Sequence, residues 1–235
     1  MTAPRRPGGQ QKIPDPVNRR SAERPVWHGL ASDFSLTTVV DRLSDHQRAL
    51  DELPQPRSDE RVSAVLIALA DGPLGTEVLL TRRTERLTNH KGEISFPGGR
   101  VDADEGLVDA AVREAEEEVG LLSEHLTVIG RLSSLSTFVS RSFIVPVVAT
   151  VIGRPDLRAN PHEVDRTLWV PLAELVRDDT FSWEWWSFDS IEPGTERPMF
   201  FFHLDDETVW GATARMLHEL LAVVHGANPL DLPNW

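Results

Sequence analysis

The chain has 235 residues and not one cysteine. That absence excludes disulfides, thiolate zinc sites and cysteine nucleophiles, and it fits a reducing compartment. There is also no apolar run of about 18 residues, the length a membrane helix needs. Nor is there a charged start followed by an apolar signal stretch, so a soluble cytoplasmic protein with no membrane partner is expected. The serines show no His/Asp arrangement that would activate one as a nucleophile. No internal repeat appears. Positive charge is scarce: 24 Lys and Arg against 37 Asp and Glu leave −13. Residues 1–30 hold six of those cations against Asp15 and Glu23, a local +4, so the remainder carries −17. A body this acidic is a poor match for nucleic acid, whose affinity rests on neutralising phosphates.

A hydrophobic content of 40 % is enough for a sizeable core. The basic, Pro- and Gly-containing residues 1–30 are expected to be a disordered tail. Residues 31–60 follow as a helix and a Pro-containing linker, with Ser35 as N-cap and Leu36, Val39, Val40, Leu43 and Leu50 at helical spacing. The main domain is expected over 61–228, and 229–235 as a C-terminal tail. Val62–Ala70 and Glu77–Arg83 read as strands around a Gly-containing turn. Two more are expected on either side of Phe138-Val139-Ser140-Arg141, with Pro146 placing the second at an edge or a bulge. Leu168–Val170 reads as a strand running into a short helix with Pro171 in its first turn. Residues 181–188 and 199–203 read as a hairpin joined by a turn-rich stretch. Phe181, Trp183 and Trp185 alternate onto one of its faces, a stripe suited to a core or to a subunit interface, which leaves a homodimer open. A last helix runs from Trp210 to His225.

The densest chemistry lies in Gly99–Leu121. A helix there carries Glu114, Glu116, Glu117 and Glu118. Like charges three or four apart on a helix repel by about 0.2–0.5 kcal/mol per pair. Glu114, Glu117 and Glu118 share a face, so their carboxylates are expected to converge around a divalent cation. Arg113 stands four residues before Glu117 and can brace it. Leu107, Val108, Ala111, Val112, Ala115 and Val119 form the expected packed face, and Gly120 the C-cap. Ahead of the helix, Phe96-Pro97-Gly98-Gly99 is a turn whose carbonyls can join a hard cation's oxygen ligands.

The spacing G-x5-E-x7-R-E-U-x-E-E-x-G-U, with U aliphatic, is met at every defined position by Gly99, Glu105, Arg113, Glu114, Ala115, Glu117, Glu118, Gly120 and Leu121. In this the chain resembles the Nudix hydrolases. The resemblance implies an α/β fold, an α/β/α sandwich with a mixed β-sheet. It implies hydrolysis of a diphosphate linkage with Mg²⁺ or Mn²⁺ as cofactor and a small nucleotide as partner. Gly99, Glu114, Glu117 and Glu118 are the implied metal ligands, and Glu105 and Arg113 orient them. Catalytic roles fall to Glu114, Glu117 and Glu163, the last within Asn160-Pro161-His162-Glu163-Val164; the general base is either Glu114 or Glu163.

Leu79, Leu80, Thr81, Arg83, Gly92 and Phe96–Gly99 further resemble the coenzyme A pyrophosphatase branch, as does Trp210-Gly211-Ala212-Thr213-Ala214. Thr84 and Thr88 depart from that branch's pattern, the second where an Arg is usual. Arg82, Arg83, Arg86 and Lys91 are therefore the candidate substrate-binding cations, Arg because its planar fork pairs with phosphate. His90 reads as a structural hydrogen-bonding group. The substrate expected is coenzyme A or its acyl or oxidised forms. The alternatives are an oxidised nucleoside triphosphate, ADP-ribose, a dinucleotide, or a Nudix-like binding module without catalysis.

Overall fold

A computed structural model describes residues 6–22, 24–47, 56–137, 141–187 and 195–228. Leu50, the residues 138–140 between two expected strands, most of the hairpin turn (188–194) and the expected C-terminal tail (229–235) lie outside them.

Near-continuous apolar runs make the central strands, as expected where both faces are covered. The main sheet contains β2 (Arg61–Gly72), β3 (Gly75–Arg83), β4 (Ile94–Ser95), β5 (Gly98–Arg100), β6 (Leu126–Arg131), β7 (Leu135–Ser136), β8 (Ser142–Val151) and β9 (Val164–Pro171). Its principal order is β4-β3-β2-β8-β6, with β5 on β2, β7 on β8 and β9 on β3. β2 and β8 run parallel; the other pairs are antiparallel, so the sheet is mixed.

Of the two places expected for Pro146, the edge is overturned, because β8 is an interior strand with Pro146 in register with Val65, while an irregularity is present: opposite Pro146 the register shifts by one residue between Arg131↔Val147 and Leu135↔Ile144. The proline is tolerated because its missing N–H faces a gap. The Pro146 carbonyl accepts from Leu132 N–H at 3.0 Å, and Leu132 lies in the break between β6 and β7. A residue's N–H and C=O point to the same side of a strand, so no ladder bond is lost toward β2.

One face is covered by α2 (Leu107–Val119), whose Ala110, Ala111, Ala115 and Val119 pack on Ala64, Leu66, Ala68 and Leu79. The other face packs Ile67, Leu69, Val78 and Leu80 against α1 (Leu36–Gln47) and α4 (Gly211–Val224), giving the expected sandwich. Ser35 caps α1 through its hydroxyl to Thr38 N–H at 3.4 Å. The short α3 (Leu172–Leu175) follows Pro171, which sits at its N-cap. The expected apolar face of α2 needs one change: Val108 is exposed, and Glu118 is buried on the packed side. Glu118 stands three residues after Ala115 and seven after Ala111, so helical geometry carries it there.

The hairpin forms as β10 (Phe181–Ser187) and β11 (Glu196–His203), and it belongs to a second, four-stranded sheet in the order β1-β10-β11-β12. Its outer strands are β12 (Thr208–Trp210) and β1 (Asn18–Ser21), a strand from the stretch expected to be a disordered tail. Ile13 packs near Trp186, Met199 and Phe201, and Arg19 and Arg20 lie over Trp186 and Trp185 at 5.7 and 5.4 Å. Composition concealed this because the segment contributes few apolar groups of its own. It is held by backbone ladder bonds and by aromatic faces some 165 residues away, Arg20 pairing in register with Trp185. Phe181 and Trp183 turn into the chain's own core beside Phe200, so the stripe gives no reason to invoke a second copy. Among the described residues no helix is long and apolar enough to cross a membrane.

Candidate active site

The site forms where the turn into β5 meets the C-terminal half of α2. A side chain is excluded at Gly98 by neighbouring backbone and crowded at Gly99 by a carboxylate. A Cβ on Gly98 would stand 2.5 Å from the Ala64 carbonyl oxygen, and one on Gly99 would stand 2.4–2.7 Å from the Glu114 carboxylate. The glycine pair thus brings a bare backbone up to the acidic helix. Gly98 N–H donates to Glu118 Oε2 at 3.3 Å.

Arg113 organises the rim. Its Nε and Nη2 form a two-pronged contact with Glu105 at 2.8 and 3.0 Å, and Nη1 donates to Glu114 at 2.9 Å and to Glu117 at 3.4 Å. Glu105 in turn accepts from Asp102 N–H at 3.1 Å. The Arg113 contact, more than any other, holds the Glu105 carboxyl down to about 2, and the same pairing raises the guanidinium further.

Glu118 is in the opposite condition. Its side chain is 3 % exposed against 58 % for Glu117, and its cationic neighbour is Arg83, with Nη1 3.8 Å away. Burial, then the charges of Glu114 and Glu163, push its carboxyl up to about 8 despite Arg83 and the Gly98 amide. Glu114 is also raised, chiefly by burial and further by Glu117 and Glu163.

The convergence expected of Glu114, Glu117 and Glu118 is therefore altered. Glu114 and Glu118 face Glu163 from another segment, while Glu117 lies on the exposed rim against Arg113. Among the described residues no three acidic or His side chains are already drawn into a closed ligand set. The donor chemistry nevertheless fits a hard divalent cation, because buried carboxylates that repel one another are relieved by a charge between them.

The four candidate substrate cations separate. Leu79 and Leu80 face opposite layers, and the same alternation sends Arg83 toward α2 and Arg82 away from it. Arg83 reaches Glu118, and its Nε is buried without a hydrogen-bond partner among the described residues. Arg82 is held by Asp165 at 2.6 Å, Glu85 at 3.2 Å and Glu207 at 3.2 Å, beside a bulge between β3 and β9 at Arg82/Arg83. Arg86 and Lys91 are exposed, and Lys91 lines a cleft with Arg82, Lys12, His90 and Glu93 that Arg83 does not share. His90 hydrogen-bonds Glu93 at 2.9 Å, the structural role expected of it.

Sequence reasoning missed what holds Glu163 in place. Asn160 N–H donates to the Glu118 carbonyl at 2.8 Å, and the Asn160 carbonyl accepts from Glu163 and Val164 N–H at 3.0 and 2.8 Å. The signal available was the Asn-Pro dipeptide, a turn former.

The family description NUDIX domain matches residues 60–191. A relative from Photorhabdus laumondii subsp. laumondii, an uncharacterized Nudix hydrolase, NudL, is 33 % identical over 190 residues, covering 80 % of this chain and 96 % of that one. A NudL from Yersinia enterocolitica is 33 % identical over 177 residues, covering 73 % of this chain and 87 % of its own. A solved Nudix hydrolase from M. smegmatis, RenU, aligns with 49 % of this chain and 73 % of its own at 27 % identity, with a TM-score of 0.43.

Proposed function

This chain belongs to the Nudix family, hydrolases of diphosphate linkages in nucleotide derivatives, and from that premise we propose that its substrate is coenzyme A or an acyl or oxidised form of it. The products are then 3′,5′-ADP and a phosphopantetheine. The observation that carries the site assignment is the shielded Glu118 carboxylate facing Glu114 and Glu163 beside a turn whose Gly98 admits no side chain.

Glu114, Glu117, Glu118 and Glu163, with the Gly99 carbonyl, are the groups that would hold Mg²⁺ or Mn²⁺. The bound ion supplies charge neutralisation of the diphosphate and acidifies a coordinated water. The chain's own residues do the rest. Glu105 fixes Arg113 by its two-pronged contact, and Arg113 fixes Glu114. Glu163 or Glu114 takes the proton of the attacking water. Arg83, whose neighbour is a carboxylate and whose Nε is unpaired, contributes the phosphate contact on the α2 side. Of the four candidate cations it is the one that reaches the acidic cluster. The coenzyme A reading is supported by the segment Leu79–Gly99 that carries Arg83 and by the Trp210–Ala214 opening of α4.

The test is a panel of coenzyme A, its dephospho form, ADP-ribose and 8-oxo-dGTP with Mg²⁺ or Mn²⁺, the products identified by mass. Coenzyme A should give the highest kcat/KM, and 3′,5′-ADP should appear. Faster cleavage of ADP-ribose or 8-oxo-dGTP overturns the substrate and leaves the chemistry standing.

A further inference from the structure

The turn that delivers Glu163 is fastened to the helix that carries the other carboxylates. At its C-terminus an α-helix leaves carbonyls without intrahelical partners. In α2, Gly120 and Leu121 N–H close on Glu116 and Ala115, and the carbonyls of Glu118 and Val119 are taken by Asn160 and Arg158 N–H, both at 2.8 Å. The chain then turns at once. The Asn160 carbonyl receives Glu163 and Val164 N–H, the Asn160 side-chain Oδ1 receives His162 N–H at 3.2 Å, and the Glu163 carbonyl receives Thr84 N–H at 2.9 Å. Pro161 fixes φ inside the turn. Glu163 is thereby tied on one side to the backbone of Glu118 and on the other to the end of β3, next to Arg83.

We propose that Asn160 is the positioning residue that sets the Glu163 carboxylate against Glu114 and Glu118, by closing the 160–164 turn with its side chain while its backbone grips the end of α2. This deepens the function proposed above and rests on Glu163 acting in that site. An asparagine at this position does two things at once. Its Oδ1 accepts an amide two residues on, and its backbone remains free to pair with the helix. Alanine retains the second and loses the first; aspartate retains both. Positioning of this kind matters because outer groups that orient a ligand or base are worth about 10–100-fold.

The experiment uses the full chain with Asn160→Ala, Asn160→Asp, Glu163→Gln, the double variant Asn160→Ala/Glu163→Gln and, as a control on the site itself, Glu117→Gln. Turnover is measured on coenzyme A, or on whichever substrate leads the panel. Amide exchange of Glu163 and Val164 is measured by NMR in metal-free protein. Asn160→Ala is expected to speed exchange of those two amides about tenfold or more and to lower kcat about 10–100-fold with KM within about twofold. Asn160→Asp should restore both. In the Glu163→Gln background Asn160→Ala should cost nothing further. Wild-type kcat in Asn160→Ala, equal losses with and without Glu163, or no rescue by Asp overturns the positioning role. Full activity of Glu163→Gln, with Glu117→Gln inactive, overturns it too, by removing Glu163 from the site. Full activity of Glu117→Gln as well shows instead that the active-site assignment itself has failed.

Discussion

Arg113 and Glu118 show how two residues five apart on one helix come to opposite electrostatic states. Arg113 stands at the rim with three carboxylates around it. Glu118 is turned under the helix, where its desolvation outweighs a single guanidinium 3.8 Å away. A guanidinium presents a planar fork and an ammonium does not, so Lys at position 113 keeps the charge and loses the two-pronged contact with Glu105. Arg113→Lys should therefore lower kcat about 10–100-fold while the protein stays folded. Steady-state kinetics alongside circular dichroism checks this, and unchanged turnover would show that the contact is only a surface ion pair.

At the scale of elements, α4 and the second sheet meet around His218. Its ring is 2 % exposed and stacks on Phe200 with centroids 4.3 Å apart, with Phe181 and Trp27 also in contact. Burial, opposed by Glu219 and aided by Arg215, depresses its pKa to about 4. The folded protein thus binds this proton less readily than the unfolded chain. Stability from His218 is complete above the unfolded value near 6.5 and declines as pH falls toward 4, by at most about 3 kcal/mol. His218→Phe should flatten that slope in urea titrations between pH 6.5 and 4; an equal slope in the variant would place the loss elsewhere.

The N-terminal segment is the second element to test. Gln11 links the Gly92 carbonyl at 3.0 Å to Glu207, Gly8 N–H reaches the Leu204 carbonyl at 3.0 Å, and β1 extends the small sheet. Ile13 is half-buried, worth about 1–2 kcal/mol of burial. Deleting residues 1–22 should lower Tm by about 2–8 °C in a chain of this size. An unchanged Tm in calorimetry would make the strand dispensable. Activity should remain within about twofold at 25 °C, since among the described residues this segment contacts the small sheet, the 204–208 turn, the Gly92 loop and, through Arg6, Glu174 of α3 and the Asp179 carbonyl, rather than α2.

For the whole molecule, the acidic balance of −13 and a cluster of mutually repelling carboxylates have one consequence together. A cation that binds the folded state stabilises it by mass action, about 2.7 kcal/mol at a hundred times its dissociation constant. Adding Mn²⁺ should raise Tm, chelation should reverse the rise and abolish turnover, and Glu118→Gln should blunt it. A Tm indifferent to Mn²⁺ in the wild type would speak against a cation among these side chains.

The Gly99–Leu121 motif was legible because it is local. Gly99 through Leu121 lie on one turn and one helix, where spacing fixes which side chains share a face, and the longer strands and α4 followed from apolar runs and the 3.6-residue period in the same way, whereas the short β1, β4, β5 and β12 did not. Spacing does not report depth, so Glu118 was readable as a carboxylate and not as a buried one. The strand alternation that parts Arg82 from Arg83 was in principle visible, but which face meets α2 was not. The attachment of Glu163 to Glu118 through Asn160, and of β1 to β10, joins segments far apart in the chain. Those contacts exist only once the sheet has closed, because a hydrogen bond between distant segments leaves no period in the sequence. The sequence by itself determined which groups carry the chemistry; packing decided which of them are shielded from water, which are paired, and which face one another.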